Sequence, residues 1–196
     1  MNAKGVLAAA AQRVAVTLKD RNFKRRGLKF VRSPNDGFVS LIELQSSRKS
    51  TSEQLSFAIN FGVIVPVLFG GEDLTNPNYT ECHWGGRILS NDGIEAWWSV
   101  RAHDDVEQLA ARLTALLTQD VLPRLDAMQL DDDLVSLWKT GQSPLLAEVQ
   151  RLLFLGTLLH RLGRREEFEE VKADLECKAR DSFSQRAIAK LKALDG

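Results

Sequence analysis

Between Ala3 and Arg21 the apolar residues Val6, Leu7, Ala10, Val14 and Leu18 recur at spacings of three and four, which predicts a helix with one apolar stripe. Polar and basic residues then run from Asn22 to Gly27, and Gly27 is placed to turn the chain into an extended segment over Leu28 to Arg32. Ser33-Pro34-Asn35-Asp36-Gly37 combines a fixed proline φ with an Asp-Gly pair that adopts positive φ, so a hairpin is expected there. Beyond it the period changes to two. Phe38 to Gln45 sets Phe38, Ser40, Ile42 and Leu44 on one face and Val39, Leu41, Glu43 and Gln45 on the other. Leu55 to Val65 alternates more cleanly, with Leu55, Phe57, Ile59, Phe61 and Val63 opposed to Ser56, Ala58, Asn60 and Gly62. Two further strands are expected, about Cys82 to Leu89 and Ala96 to Ala102, joined across Ser90-Asn91-Asp92-Gly93. Together these segments predict an antiparallel meander of about five strands.

From Asp104 the helical period returns. Asp104 or Asp105 can cap a helix carrying Val106, Leu109, Leu113, Leu116 and Leu117 toward Pro123. Asp131 to Asp133 open a short helix through Leu134, Leu137 and Trp138, and Ser143-Pro144 precedes an apolar helix expected over Leu145 to Leu162, closed by Gly163. Arg165 to Lys178 and Ser182 to Leu194 complete a C-terminal helical set with very short turns. In period and turn spacing this part resembles a helical-hairpin array of the tetratricopeptide kind, without the full repeat signature. The fold class is therefore α+β: a sheet packed with an N-terminal helix and a following helix over residues 1–130, and a helical bundle over residues 131–196.

Composition changes this picture little. The 196 residues are 44% hydrophobic and 27% charged, ordinary for a globular chain, and no apolar run reaches the length that spans a bilayer. The N-terminal Ala-rich run reads as helix former, not export signal. Cys82 and Cys177 fall in different structural regions, which argues against a disulfide framework and for a reducing cytoplasm. Charge is more informative in its distribution than in its zero sum. Residues 1–50 hold 11 Lys/Arg against 3 Asp/Glu, residues 51–133 hold 4 against 14, and residues 134–196 hold 11 against 9.

Five segments of the chain together point to a family. The run from Leu18 to Phe30 (LKDRNFKRRGLKF), then Ile42-Glu43-Leu44-Gln45-Ser46-Ser47, Phe57 to Val63 (FAINFGV), Glu81 to Ile88 (ECHWGGRI) and the pair Trp97-Trp98 resemble, in that order, the bacterial domain-of-unknown-function family numbered 4304. The resemblance covers about residues 5–125. It implies the sheet fold and brings no activity, cofactor or catalytic residue with it.

The residues themselves offer no catalytic constellation. His83, His103 and His160 lack metal-binding intervals, so no metal and no cofactor is expected. There is no nucleophile elbow, and Gly70-Gly71 and Gly85-Gly86 lack the lysine or fingerprint of a phosphate loop. The polar sheet face is the more informative surface. In a meander, Glu43, Gln45, Ser56, Asn60, His83 and Arg87 project away from Phe57, Ile59, Phe61, Trp84 and Ile88, forming either a satisfied polar network or a groove. A guanidinium flanked by an amide and a carboxylate suits a planar or anionic group. Of Trp97 and Trp98, strand alternation sends one to the other face, where a tryptophan can anchor an interface. The basic cluster Lys19, Arg21, Lys24, Arg25, Arg26, Lys29 and Arg32 raises nucleic acid, which the neutral total and the dipole-compensating helix end disfavour.

The reading expected from the sequence is a non-enzymatic binding or adaptor protein with a protein partner, one form being protection against a bacterial toxin. The candidate binding residues are Glu43, Gln45, Asn60, His83, Arg87 and Trp97. A small-molecule-binding protein or enzyme using the same face, and a structural module associating through the Leu145 to Leu162 helix, are the alternatives.

Overall fold

The structure is a computed structural model and describes residues 1–34, 37–70, 73–90, 97–178 and 181–194. These divide into two compact units, Met1–Gln129 and Leu130–Gly196.

The first unit opens with helix α1 (Ala3–Lys19), capped by the Asn2 side chain on Gly5 N–H and burying Val6, Leu7, Ala10, Val14 and Leu18. Six strands follow: β1 (Lys24–Arg26), β2 (Lys29–Arg32), β3 (Val39–Ser46), β4 (Gln54–Ile64), β5 (Trp84–Ile88) and β6 (Trp98–Arg101). All pairings are antiparallel, and β2 to β5 follow one another in chain order as the alternation predicts, with β1, which it does not predict, paired to the outer side of β2. Gly27, at φ +63, makes the tight β1–β2 turn in the left-handed region where a Cβ is disfavoured. The expected turn at Asn35-Asp36 lies outside the described residues, as do Gly71, Asn91-Asp92-Gly93 and Ala96.

The last strand departs from a simple meander. β6 pairs with β4, not β5: Phe57 faces Trp98 and Gln54 faces Arg101, while β5 occupies the same flank further along, with Ile59 facing Ile88. Only Ala58 separates the two stretches of β4. The physical reason is in the side chains. Trp98 is 6% exposed and donates its indole N–H to Ile88 O at 3.2 Å, which holds the start of β6 against the end of β5.

One sheet face carries Phe30, Ile42, Phe61, Leu44, Ile59 and Leu55, all buried. α1 packs against β4, β6 and helix α2 (Val106–Leu116), and Arg112 and Arg124 lie over the rings of Trp98 and Phe61. The helices thus cover this face. α2 widens into a π turn at Leu117–Val121, where Leu122 N–H reaches back to Leu117 O, before α3 (Leu122–Asp126). Pro123 in the first turn of α3 has no N–H to satisfy, and the wide turn just before it accommodates this within a continuous rod.

The second unit holds α4 (Asp131–Lys139), α5 (Glu148–Arg161), α6 (Arg165–Lys178) and α7 (Ser182–Lys192). α5 begins three residues later than the pattern predicts, because Ser143 to Leu146 close a turn of their own and Ala147 is extended. Gly163, at φ +70, ends α5 as expected: its N–H bonds His160 O and the next N–H bonds Leu159 O, a Schellman closure.

Candidate functional site

The face of the sheet opposite the helices is divided along its length. Toward the C-terminal end of β4, Leu41, Ile64 and Gly62 are buried beneath the segment that connects β4 to β5. A Cβ on Gly62 would lie 2.8 Å from Cys82 Sγ and 2.6 Å from Trp84 O, so only glycine admits the segment this closely.

The other half is polar and begins with one row of side chains. Register places Arg26 opposite Lys29, Lys29 opposite Glu43, Glu43 opposite Asn60 and Asn60 opposite Arg87, a line across five strands. Asn60 is fully buried, and both ends of its amide are used. Its Nδ2 donates to Gln45 Oε1 at 2.9 Å, and its Oδ1 accepts from Arg87 Nε at 2.8 Å. Arg87 also donates from Nη2 to Gln45 Oε1 at 3.3 Å, and its guanidinium carbon lies 5.4 Å from the ring centre of Trp97. Trp97 is 39% exposed. Strand alternation thus splits the tryptophan pair, Trp98 to the core and Trp97 to this surface.

The remaining members of the row are tied to the connecting segment. Lys29 Nζ donates to Pro77 O at 2.9 Å and to Asn78 Oδ1 at 2.8 Å, and Glu43 Oε2 accepts from Tyr79 N–H at 3.2 Å. Asn78 N–H in turn donates to Glu81 Oε2 at 2.6 Å, fixing the 3-10 turn Tyr79–Glu81. Tyr79 stands half-buried close enough to feel the Arg87 charge. Burial raises its phenol pKa, the Cys82 thiol adds to this and Arg87 opposes it.

Glu43, Gln45, Asn60, Arg87 and Trp97 are therefore brought together. His83 is not with them. It is 5% exposed, its Nδ1 accepts from Val65 N–H at 3.1 Å, and a backbone hydrogen bond ties it to Leu68. Burial drives its pKa down to about 4, so the ring is neutral near pH 7 and braces the connecting segment. Burial, with Glu43 and Glu81 nearby, pushes the Cys82 thiol well up, which leaves it protonated and a poor nucleophile. Among the described residues no group of three or more His, Cys, Asp or Glu could hold a metal ion.

What this arrangement can do follows from Arg87. No described carboxylate pairs with it, and the two amides that hold it leave its other N–H groups pointing to no described acceptor. A fixed guanidinium with an open edge matches the two oxygens of a carboxylate, and Trp97 supplies an apolar wall beside it. Lys29 was expected only as part of the N-terminal basic cluster, and Tyr79 was not singled out by sequence reasoning. The signals that could have placed them here were the two-residue spacing of Lys29 and Val31, which puts both on one strand face, and the Asn-x-x-Glu spacing from Asn78 to Glu81, which marks a capped turn.

The family model described as domain of unknown function (DUF4304) matches residues 14–127, more than half of the chain. The chain belongs to the DUF4304 family. The match spans the sheet, α2 and α3, and so includes every member of the polar row, while α4 to α7 lie outside it. No curated protein and no solved structure matches the chain. No helix among the described residues is long and apolar enough to cross a membrane.

Proposed function

We propose that this DUF4304 protein is a binding or adaptor protein, bacterial and cytoplasmic, whose polar sheet face takes an acidic group presented by a protein partner. The observation that supports this reading is the state of Arg87. Its charge has no carboxylate partner among the described residues, its orientation is set by a fully buried Asn60, and an exposed Trp97 lies beside it. A guanidinium that served only to hold the fold would be expected to meet an acid or be fully enclosed by its acceptors. Free thiols at both Cys82 and Cys177 support a reducing compartment.

One form of this function is protection against a toxin made by a neighbouring gene, in which a charged face covers the toxin's active site. A toxin-like gene directly upstream is expected in that case, and its absence from the gene neighbourhood counts against that form while leaving partner binding standing.

The test is a pull-down from native lysate with the wild-type chain and with an Arg87→Ala, Trp97→Ala double variant, read by mass spectrometry. A specific partner retained by the wild type and lost by the variant is expected. A partner retained equally by both, or none captured by either, overturns the reading.

A further inference from the structure

The helical unit carries a groove of its own, independent of the sheet face. α5 and α7 run side by side in the same direction: Leu153 shares a cavity with Phe183, Ala187 and Lys190, Gly156 meets Leu191, and His160 shares a second cavity with Leu194. Gly156 makes the approach possible, since a Cβ there would lie 3.0 Å from two carbons of the Leu191 side chain. Leu153 and His160 are seven residues apart on α5, and Phe183, Ala187, Lys190 and Leu194 recur at spacings of four and three along α7 and its end. The first cavity thus lies between α5 and α7, and the second about 10 Å further along α5 by helical rise, where the α5–α6 turn and the start of α6 meet Leu194 from beyond the end of α7. The first, of about 200 Å³, is lined by Leu153, Phe183, Arg186, Ala187 and Lys190. The second, of about 300 Å³, is lined by His160, Gly163, Arg165, Phe168 and Leu194.

The distribution of ion pairs marks this seam. Elsewhere in the unit the described cations have acidic partners: Lys139 with Glu167, Arg151 with Glu148, Arg161 with Asp131, Arg164 with Asp132 and Glu167, Lys172 with Glu169, Lys178 with Asp174 and Glu148, and Lys192 with Glu176. Among the described residues of the unit, Arg165, Arg186 and Lys190 are the basic side chains with no ion pair, and all three line the two cavities. A third cavity, of about 200 Å³, also contains cations, Lys139 and Arg151, but both are paired there. Phe183 and Leu194, at 49% and 37% exposed, are among the large apolar side chains left at the surface. Basic side chains outside any ion pair among the described residues and exposed apolar surface therefore coincide here, and Arg186 is also near enough to Asp181 to add, after the Ser184 hydrogen bonds, to the lowering of that carboxyl's pKa.

We infer that the α5–α7 seam is a docking groove for an acidic peptide segment of a partner protein, one that places apolar side chains in the two cavities and carboxylates against Arg165, Arg186 and Lys190. Charge complementarity selects the acid, and the cavities select apolar anchors set about 10 Å apart, a helical i, i+7 pair or three extended residues.

The experiment is fluorescence anisotropy on the full chain with a short fluorescein-labelled peptide of Glu and Leu, compared with its Lys and Leu counterpart. The acidic peptide is expected to bind and the basic one not. An Arg186→Glu, Lys190→Glu double variant and, separately, Phe183→Ser are expected to weaken acidic-peptide binding by about tenfold or more, with the thermal melt unchanged. The charge-reversed variant is expected to gain affinity for the basic peptide. Equal binding of both peptides, no binding, or binding undiminished in the variants overturns the proposal. So does self-association in sedimentation velocity that Phe183→Ser abolishes, which would make a second copy of the chain the occupant. Binding of a generic single-stranded RNA at this seam, lost with the same charge reversals, overturns it as well.

Discussion

Asn60 holds Arg87: Oδ1 lies 2.8 Å from Arg87 Nε, at a register position where the two residues face each other across β4 and β5. An amide with no exposed surface thereby fixes the direction of a guanidinium that is only partly buried. Asn60→Ala removes the acceptor and also leaves Gln45 Oε1 short of a donor. The expected cost is about 1–3 kcal/mol in urea unfolding, most of it from the polar groups left without partners. A double-mutant cycle with Arg87→Ala should show a coupling of about 0.5 kcal/mol or more, and additivity would mean the two residues act independently.

Arg87→Ala alone is expected to cost about 1–3 kcal/mol, because it leaves the buried Asn60 Oδ1 without its donor. Arg87→Lys separates charge from shape. It keeps the charge and loses the fork, so partner capture should fall nearly as far as with alanine. Full retention with lysine would show that charge suffices.

Gly85 faces Gly62 across β4 and β5, and a Cβ on Gly85 would sit 2.1 Å from Phe61 O and 2.7 Å from Gly62 Cα. Both contacts are backbone, which cannot swing away. Gly85→Ala should cost about 3 kcal/mol or more or prevent folding, whereas Gly70→Ala, with nothing among the described residues within 4 Å, should stay within about 0.5 kcal/mol. Equal midpoints in denaturant for the two variants would contradict the close strand approach.

The neutral His83 makes stability depend on pH. Its pKa is lowered from 6.5 to about 4 in the folded chain, so the unfolded chain binds more protons between those values. The stabilisation is complete above pH 6.5 and is lost as pH falls through about 4, a contribution on the order of 3 kcal/mol. Unfolding free energies of wild type and His83→Gln measured from pH 7 to pH 5 should differ in slope, with the wild type falling faster. Parallel curves would rule out a buried neutral histidine.

Ser46 Oγ is buried without a hydrogen-bond partner among the described residues, on the side of β3 that faces Phe57. Ser46→Ala removes a hydroxyl that gains nothing from the fold. A stability increase of about 1 kcal/mol is expected, visible as a raised melting temperature.

Much of the sheet could be read from alternation, because β3 and β4 are long and one face of each is apolar. That same period set Glu43, Asn60 and Arg87 on a common face and divided Trp97 from Trp98. β1 could not be read this way. Lys24, Arg25 and Arg26 are all exposed, so the strand exists through backbone pairing to β2 and leaves no hydrophobic trace. The partner of β6 was equally hidden, since alternation fixes which way side chains point but not which neighbour a strand chooses. His83 shares the alternation of Arg87 yet is sealed beneath the chain that follows β4, a burial created by tertiary folding. The α5–α7 seam depended on knowing which cations meet acids, and spacing along the sequence does not supply that.

The break opposite Ala58 has a consequence for how this surface can change. Because β5 and β6 lie end to end along β4, they act as one strand with a slot in it, through which the chain leaves after Ile88 and returns at Trp98. The indole bond from Trp98 to Ile88 O closes the slot at its base. Lengthening the excursion shifts no register, and each doubling of such a loop costs only about 0.6 kcal/mol in closure entropy. New sequence can therefore be spliced in beside Arg87 and Trp97 while the frame that aims them stays as it is.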